Sequence, residues 1–162
     1  MCWVRCSEAV VVAEVIAALD ASTLGESIRR SVWAYPLLET VHIASFGVLI
    51  GSLLVFELRL FGLERSIQPV PLARLALGTS LVAFAGAAVS GLMLFASNAT
   101  ELAAHPAFRV KLVLILIAGV NAMVFHARGG VRRQDATARV QAAASLLLWL
   151  SVLAGGRLIA YL

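Results

Sequence analysis

The sequence predicts an all-α fold, a four-transmembrane-helix bundle preceded by a short amphipathic interfacial helix. Of the 162 residues, 61% are hydrophobic, whereas a soluble domain has roughly 45–50% apolar residues. The apolar residues concentrate in four blocks, at about 37–61, 72–97, 109–126 and 140–162. A helix needs ~20 mostly apolar residues to cross the hydrocarbon core of a bilayer. Each block is therefore predicted to be one span, and to be helical because lipid offers the backbone no other hydrogen-bond partners.

The chain divides into an N-terminal extension, 1–21, and a four-helix membrane domain, 22–162. The extension has an apolar stretch typical of a secretory signal, but Glu8 and Glu14 interrupt it. We therefore expect a short amphipathic helix or a weakly ordered extension over 7–20.

The interfacial helix is predicted over 23–34, before the first span. Ser22 or Thr23 can cap its start, and Glu26 has the spacing of a capping box. Aromatic side chains at Trp33 and Tyr35 are typical of the membrane interface. The side chains expected toward lipid are Ile28, Val32 and Trp33, and those expected toward headgroups are Arg29 and Arg30.

Small residues recur four apart in the spans, a spacing that lets membrane helices approach closely. In the first span, Gly47 and Gly51 are predicted to form the packing face, with Glu39, His42 and Glu57 on the other side. The other rows are Ala83, Ala87 and Gly91; Ala118 and Ala122; and Ser151 and Gly155.

Ionisable residues inside the spans are costly in hydrocarbon, so they mark candidate sites. Sorted by depth along the helices, they form two groups. The outer group, toward one end of the predicted bundle, contains Glu39, His42, Met93, His105, Lys111 and Arg157. The inner group contains Glu57, Arg59, His126 and Arg128, in which Glu57 and His126 form an interfacial pair or a proton relay. Asn121 is expected to bridge two helices. His42 and His126 lie ~20 Å apart by helix rise, so they cannot ligate the same haem.

Three functions fit the outer group. In the first, His42 and either His105 or Met93 are the axial ligands of haem b, Lys111 and Arg157 face its propionates, and Glu39 lies beside the site. In the second, His42, Met93 and His105 hold copper, because imidazole and thioether suit Cu(I). In the third, no cofactor is bound and the protein is a non-catalytic membrane anchor or partner subunit, its buried charges only locking the bundle.

Catalytic motifs are absent from the sequence: it has no nucleophile elbow, zinc-protease helix, phosphate loop or dinucleotide fingerprint. The lack of such motifs predicts that the chain is not an enzyme on its own. Cys2 and Cys6 form a C-x3-C pattern that lacks a second ligand pair. The chain also lacks the basic, aromatic-rich runs typical of a nucleic-acid groove, so no nucleic-acid partner is expected.

The net charge of +4 is carried by the connections between spans. The first and third connections hold more arginines than the opposite side, which predicts that both face the cytoplasm and both termini lie outside. These arginines are Arg59, Arg65, Arg74, Arg128, Arg132, Arg133 and Arg139; the opposite side has Arg29, Arg30, Arg109 and Lys111 near the membrane.

Several motifs together resemble an uncharacterised family of bacterial four-helix integral inner-membrane proteins. They are Trp33-x-Tyr35-Pro36-x2-Glu39-x2-His42, then Glu57-Leu58-Arg59-Leu60-Phe61-Gly62, then Pro106-x-Phe108-x2-Lys111 with Asn121, and the ending Gly156-Arg157-x-Ile159-Ala160-Tyr161. The family commonly has Asp where Glu57 stands and Asn where His105 stands.

The resemblance implies a four-helix, multi-pass protein of the inner membrane and supplies no activity. With the arginine distribution, both termini are then expected in the periplasm. A looser likeness exists to copper-resistance-D and cytochrome-b561-type bundles, at the level of fold. The partners expected are the lipid bilayer, a periplasmic redox protein or quinone, and other subunits in a homo- or hetero-oligomer.

Overall fold

The computed structural model describes residues 2–158, and the side chains of residues 10–157. Apart from the connections between helices, this part of the chain is helical, and it contains no strand, which confirms the predicted all-α class. The helices are α1 (Cys2–Asp20), α2 (Thr23–Arg30), α3 (Ala34–Leu60), α4 (Pro69–Ser97), α5 (Ala99–Ala104), α6 (Pro106–Ala127), α7 (Gly130–Arg133) and α8 (Ala136–Leu158).

Four helices, α3, α4, α6 and α8, are long and apolar enough to cross a membrane. Large apolar side chains along them point away from the protein: Leu75 is 71% exposed, Val82 75% and Leu116 69%. Such surfaces are stable in lipid, where apolar side chains have no water to avoid. The protein is therefore an integral membrane protein.

The spans begin before the apolar blocks: α3, α4 and α6 start three residues earlier than predicted, and α8 four. Proline is tolerated in the first helical turn, so α4 and α6 begin at Pro69 and Pro106. The start of α8 is polar, and Asp135 caps it by accepting a hydrogen bond from the Ala138 N–H at 2.8 Å. The predicted end of the last span, with Ile159, Ala160 and Tyr161, lies outside the described residues.

The chain forms two compact units. Unit 1 comprises Met1–Ile43 and Gly86–His105, and unit 2 comprises Ala44–Ala85 and Pro106–Leu162. Helices α3 and α4 each contribute a segment to both units. Each unit is a separate packing environment for the candidate residues.

In unit 1, α2 forms where the interfacial helix was predicted, but its contacts differ. Ser22 is the N-cap and accepts a hydrogen bond from the Gly25 N–H at 3.2 Å. The capping-box prediction was wrong for Glu26, which instead pairs with Arg30 at 2.6 Å, one turn along α2.

The apolar side of α2 was predicted to face lipid, and for Ile28 this was wrong, since it is only 4% exposed. Val32 and Trp33 are exposed. The Arg29 guanidinium, expected toward headgroups, donates to the Asp20 carboxylate at 2.9 Å and to the Ser97 carbonyl at 2.7 Å. Helix α2 therefore packs against the protein through its apolar side, which buries Ile28. The Arg29 guanidinium also gains fixed hydrogen-bond acceptors.

In unit 2, four helices meet in a small apolar core. Phe56 and Phe125 pack edge to face, with ring centroids 6.1 Å apart. The core consists of Phe56 and Leu60 of α3, Ala73 and Ala76 of α4, Phe125 of α6 and Ala138 of α8. Since these residues lie near the ends of α3 and α6 and the starts of α4 and α8, the first and third connections leave unit 2 at the same end.

The predicted glycine packing face of the first span is wrong. Gly47 and Gly51 are exposed, and a Cβ built on either would meet no atom within 4 Å. Glu57, predicted on the opposite face, is instead the buried side chain. The reason is energetic: facing a carboxylate to hydrocarbon costs several kcal/mol, about +2.5 or more, whereas a glycine costs little there.

Candidate functional site

His42 is a half-buried histidine of unit 1, and it lies against helix α4. Its Nδ1 lies 2.8 Å from the carbonyl oxygen of Ala87 and 3.1 Å from the hydroxyl of Ser90. The Ser90 hydroxyl donates its own proton to the Gly86 carbonyl at 2.7 Å. A carbonyl can only accept, so Nδ1 carries a proton and donates it to the Ala87 oxygen.

The ring of His42 fits onto α4 because residue 91 is glycine. A Cβ at Gly91 would lie 2.8 Å from Cε1 of the ring, closer than real contacts allow. We call His42, Ala87, Ser90 and Gly91 the His42 site. Because Ala87, Ser90 and Gly91 are small, the imidazole can reach the backbone carbonyl of Ala87, which larger side chains would cover.

The other predicted outer residues of unit 1 lie at different places around this site. Glu39 is exposed and lies one turn before His42 on α3. Met93 is half-buried and lies three residues beyond Ser90 on α4, ~4.5 Å along the helix. His105 is half-buried and forms the C-cap of α5, its backbone N–H bonding to the Leu102 carbonyl.

Lys111 and Arg157 belong to unit 2. The Lys111 ammonium lies 5.5 Å from the ring centroid of Phe46, a cation–π distance. It also packs against Gly156, whose Cβ would be 3.2 Å from Nζ. Lys111 thus lies beside the residue that precedes the exposed Arg157. Their predicted association with the His42 site stays a prediction.

Unit 2 contains a small cavity with polar side chains in its lining, which we call the Glu57 cavity. Its volume is about 40 Å³. Glu57 is 2% exposed, and its Oε2 is buried without a hydrogen-bond partner. The cavity is lined by Leu53, Phe56, Glu57, Leu77, Asn121, Ala122, Phe125, His126, Gln141, Ala142 and Ser145. A buried polar atom without a partner is costly, so it points to an occupant.

The lining of the Glu57 cavity includes Glu57 and His126 of the predicted inner group, together with Asn121, but neither Arg59 nor Arg128. Asn121 donates its side-chain N–H to the Gln141 carbonyl at 2.9 Å, which links α6 to α8. His126 is exposed, and its Nδ1 lies 2.8 Å from the Ala122 carbonyl of its own helix. Within the described part of the chain, Glu57 and His126 share the cavity without forming an ion pair.

Two cavity residues, Gln141 and Ser145, were missed from the sequence because neither is ionisable. Their spacing of four residues places both on one face of α8. Two polar side chains four residues apart in an otherwise apolar span were the sequence signal that could have identified them.

No group of three or more His, Cys, Asp or Glu side chains able to hold a metal ion occurs among the described residues. The predicted copper set relies instead on a thioether, that of Met93, beside two imidazoles.

The chain matches a protein-family model over most of its length. The model of a family described as "Family of unknown function (DUF6644)" matches residues 21–162, which include all four spanning helices. No curated protein matches the chain. No solved structure matches it either.

Proposed function

The chain belongs to the DUF6644 family of unknown function, and from its own geometry we propose that it is a membrane subunit that binds haem b through His42. When bound, haem would supply one-electron chemistry, so the protein would pass electrons between a redox partner and quinone.

The observation that carries the proposal is the hydrogen bond from His42 Nδ1 to the Ala87 carbonyl. Histidines that ligate metals commonly donate their other ring N–H to a backbone carbonyl, which fixes the ring and makes the ligating nitrogen more basic. The iron ligand would then be Nε2, the ring nitrogen that does not make this contact.

The second axial ligand would come from Met93 or His105, which belong to the same unit. Both His/Met and bis-His pairs are established haem ligand sets. Lys111 and Arg157 belong to unit 2, and their role toward the propionates stays a prediction from the sequence. Glu39, one turn before His42, would lie at the edge of the site.

The His42–Ala87 hydrogen bond also favours a second, structural function. The His42–Ala87 hydrogen bond already ties the start of α3 to the end of α4, and the ring is seated on Gly91. These contacts suffice for a structural role, in which the protein is an anchor or partner subunit and His42 only locks two helices.

The absorption spectrum of the detergent-purified protein separates these functions. Under the haem proposal, the protein shows a Soret band that disappears in His42→Ala and remains in His126→Ala, a matched control in unit 2. Met93→Leu would change the spectrum if its sulfur is the second ligand.

A colourless protein would overturn the haem proposal. If it is also free of metal and His42→Ala still folds, the structural function is supported. If it contains stoichiometric copper that His42→Ala loses, His42 and Met93 belong to a copper site instead.

A further inference from the structure

Glu57 is a buried carboxyl that the proposed haem function does not use. It lies in α3, three residues before the helix ends at Leu60. Within the described chain no lysine or arginine forms a salt bridge with it. An unpaired carboxylate in such a place is strongly disfavoured, so the group must neutralise or hold a positive charge.

The cavity beside Glu57 is the right size for water. About 40 Å³ accommodates at least one water molecule, since one needs roughly 10–15 Å³ of such space. Buried waters also need two to four polar partners. The cavity offers the Glu57 carboxyl, with its unbonded Oε2, and the side chains of Asn121, Gln141 and Ser145.

The polar lining mixes donors and acceptors, which suits water better than a bare cation. Amide and hydroxyl groups both donate and accept, whereas a hard cation needs a shell of six or more oxygens. The amide N–H of Asn121 is already directed to the Gln141 carbonyl. Among the described residues that line the cavity, the other titratable one is His126, which is exposed.

We propose that Glu57 is a proton-binding site, at which the carboxyl exchanges a proton with water held in the Glu57 cavity. On uptake, an O–H bond forms at the carboxylate oxygen and one breaks in a hydronium ion, leaving water; on release the steps reverse. Glu57 changes from a charge of −1 to neutral, and no oxidant or reductant is needed. His126 lines the same cavity near the end of α6.

Infrared spectroscopy of the full-length protein in detergent, titrated with acid and base, tests the proposal. Protonated Glu57 gives a carboxylic-acid C=O band that falls as pH rises and shifts in D2O. The band is absent in Glu57→Gln and is kept in Glu64→Gln, a control whose carboxyl is exposed in the first connection.

Ser145→Ala covers the case in which Glu57→Gln does not fold. Ser145 is the polar side chain beside the carboxyl, so its removal should move the band without abolishing it. The proposal is overturned if no such band occurs at any pH, or if Ser145→Ala leaves it unmoved. It is also overturned if Na⁺ added at constant pH removes the band, which would assign the cavity to a cation.

Discussion

Gly25 in α2 packs its Cα directly against the backbone of Ala96, and at this residue an added methyl group has no room. A Cβ there would overlap the Ala96 carbonyl oxygen and lie 3.3 Å from that of Asp20. Backbone atoms cannot rotate away as side chains do. We expect Gly25→Ala to lower the free energy of unfolding in detergent by about 1–3 kcal/mol, the usual cost of overpacking, measured by denaturant titration.

The control for this substitution is Gly78→Ala. Gly78 is exposed in α4, and a Cβ there meets nothing within 4 Å. Alanine is the better helix former by about 1 kcal/mol, so this variant should be as stable as the parent or more so. Equal losses in both variants would show that the Gly25–Ala96 contact has no special role.

Single residues also show how far the sequence predicts a site. The cost of burying ionisable groups singles out His42 and Glu57, and both occupy polar surroundings. The partner of His42 is a backbone carbonyl, that of Ala87, and a carbonyl has no sequence signature. The close packing of the His42 ring on α4 depends on Gly91. In the sequence, Gly91 is only one of several small residues.

At the scale of helices, small residues differ in whether they face protein or lipid. Ala118 in α6 is 2% exposed, whereas Gly47 and Gly51 in α3 are exposed. We expect Ala118→Leu to cost about 1–3 kcal/mol in the free energy of unfolding through overpacking. Gly47→Leu and Gly51→Leu should change it by about 0.5 kcal/mol or less.

Denaturant titration of the three variants in detergent measures this difference. If Gly51→Leu destabilised as strongly as Ala118→Leu, the G-x3-G face would be a packing face after all. The self-association of each variant is measured in the same detergent, so that the unfolding free energies are compared for single protein chains.

Helix ends were less predictable than helix existence. Long apolar blocks identify α3, α4, α6 and α8, but the polar first turn of α8 is helical because Asp135 caps it. The short helices α5 and α7 were not predicted. Neither has the length or apolar content that signals a span, and α7 depends on left-handed backbone at Gly129 and Gln134.

For the whole molecule, hydropathy predicts four spans because lipid imposes length and helicity on any segment that crosses it. It does not predict the cavity around Glu57, which exists only where α3, α4, α6 and α8 come together. The faces that meet depend on packing among many apolar side chains of similar hydropathy. The first span illustrates this, since Glu57 is buried whereas Glu39, Gly47 and Gly51 are exposed.

The orientation in the membrane gives the last prediction. The first and third connections leave unit 2 at one end and carry most of the arginines near the spans. Positively charged connections stay on the cytoplasmic side. In a background with Cys2→Ser and Cys6→Ser, we expect Ser66→Cys and Thr137→Cys to react with impermeant maleimide only in inverted vesicles, because both positions are exposed at the cytoplasmic end.

Thr100→Cys, exposed in α5 after the second span, should react only in right-side-out vesicles. Permeabilised vesicles, in which all three cysteines should react, provide the control for accessibility. Reversal of all three patterns would show that the arginine bias does not orient this protein. Labelling of Ser66→Cys and Thr137→Cys from opposite sides would contradict the shared end of the first and third connections, and with it an even number of crossings between them.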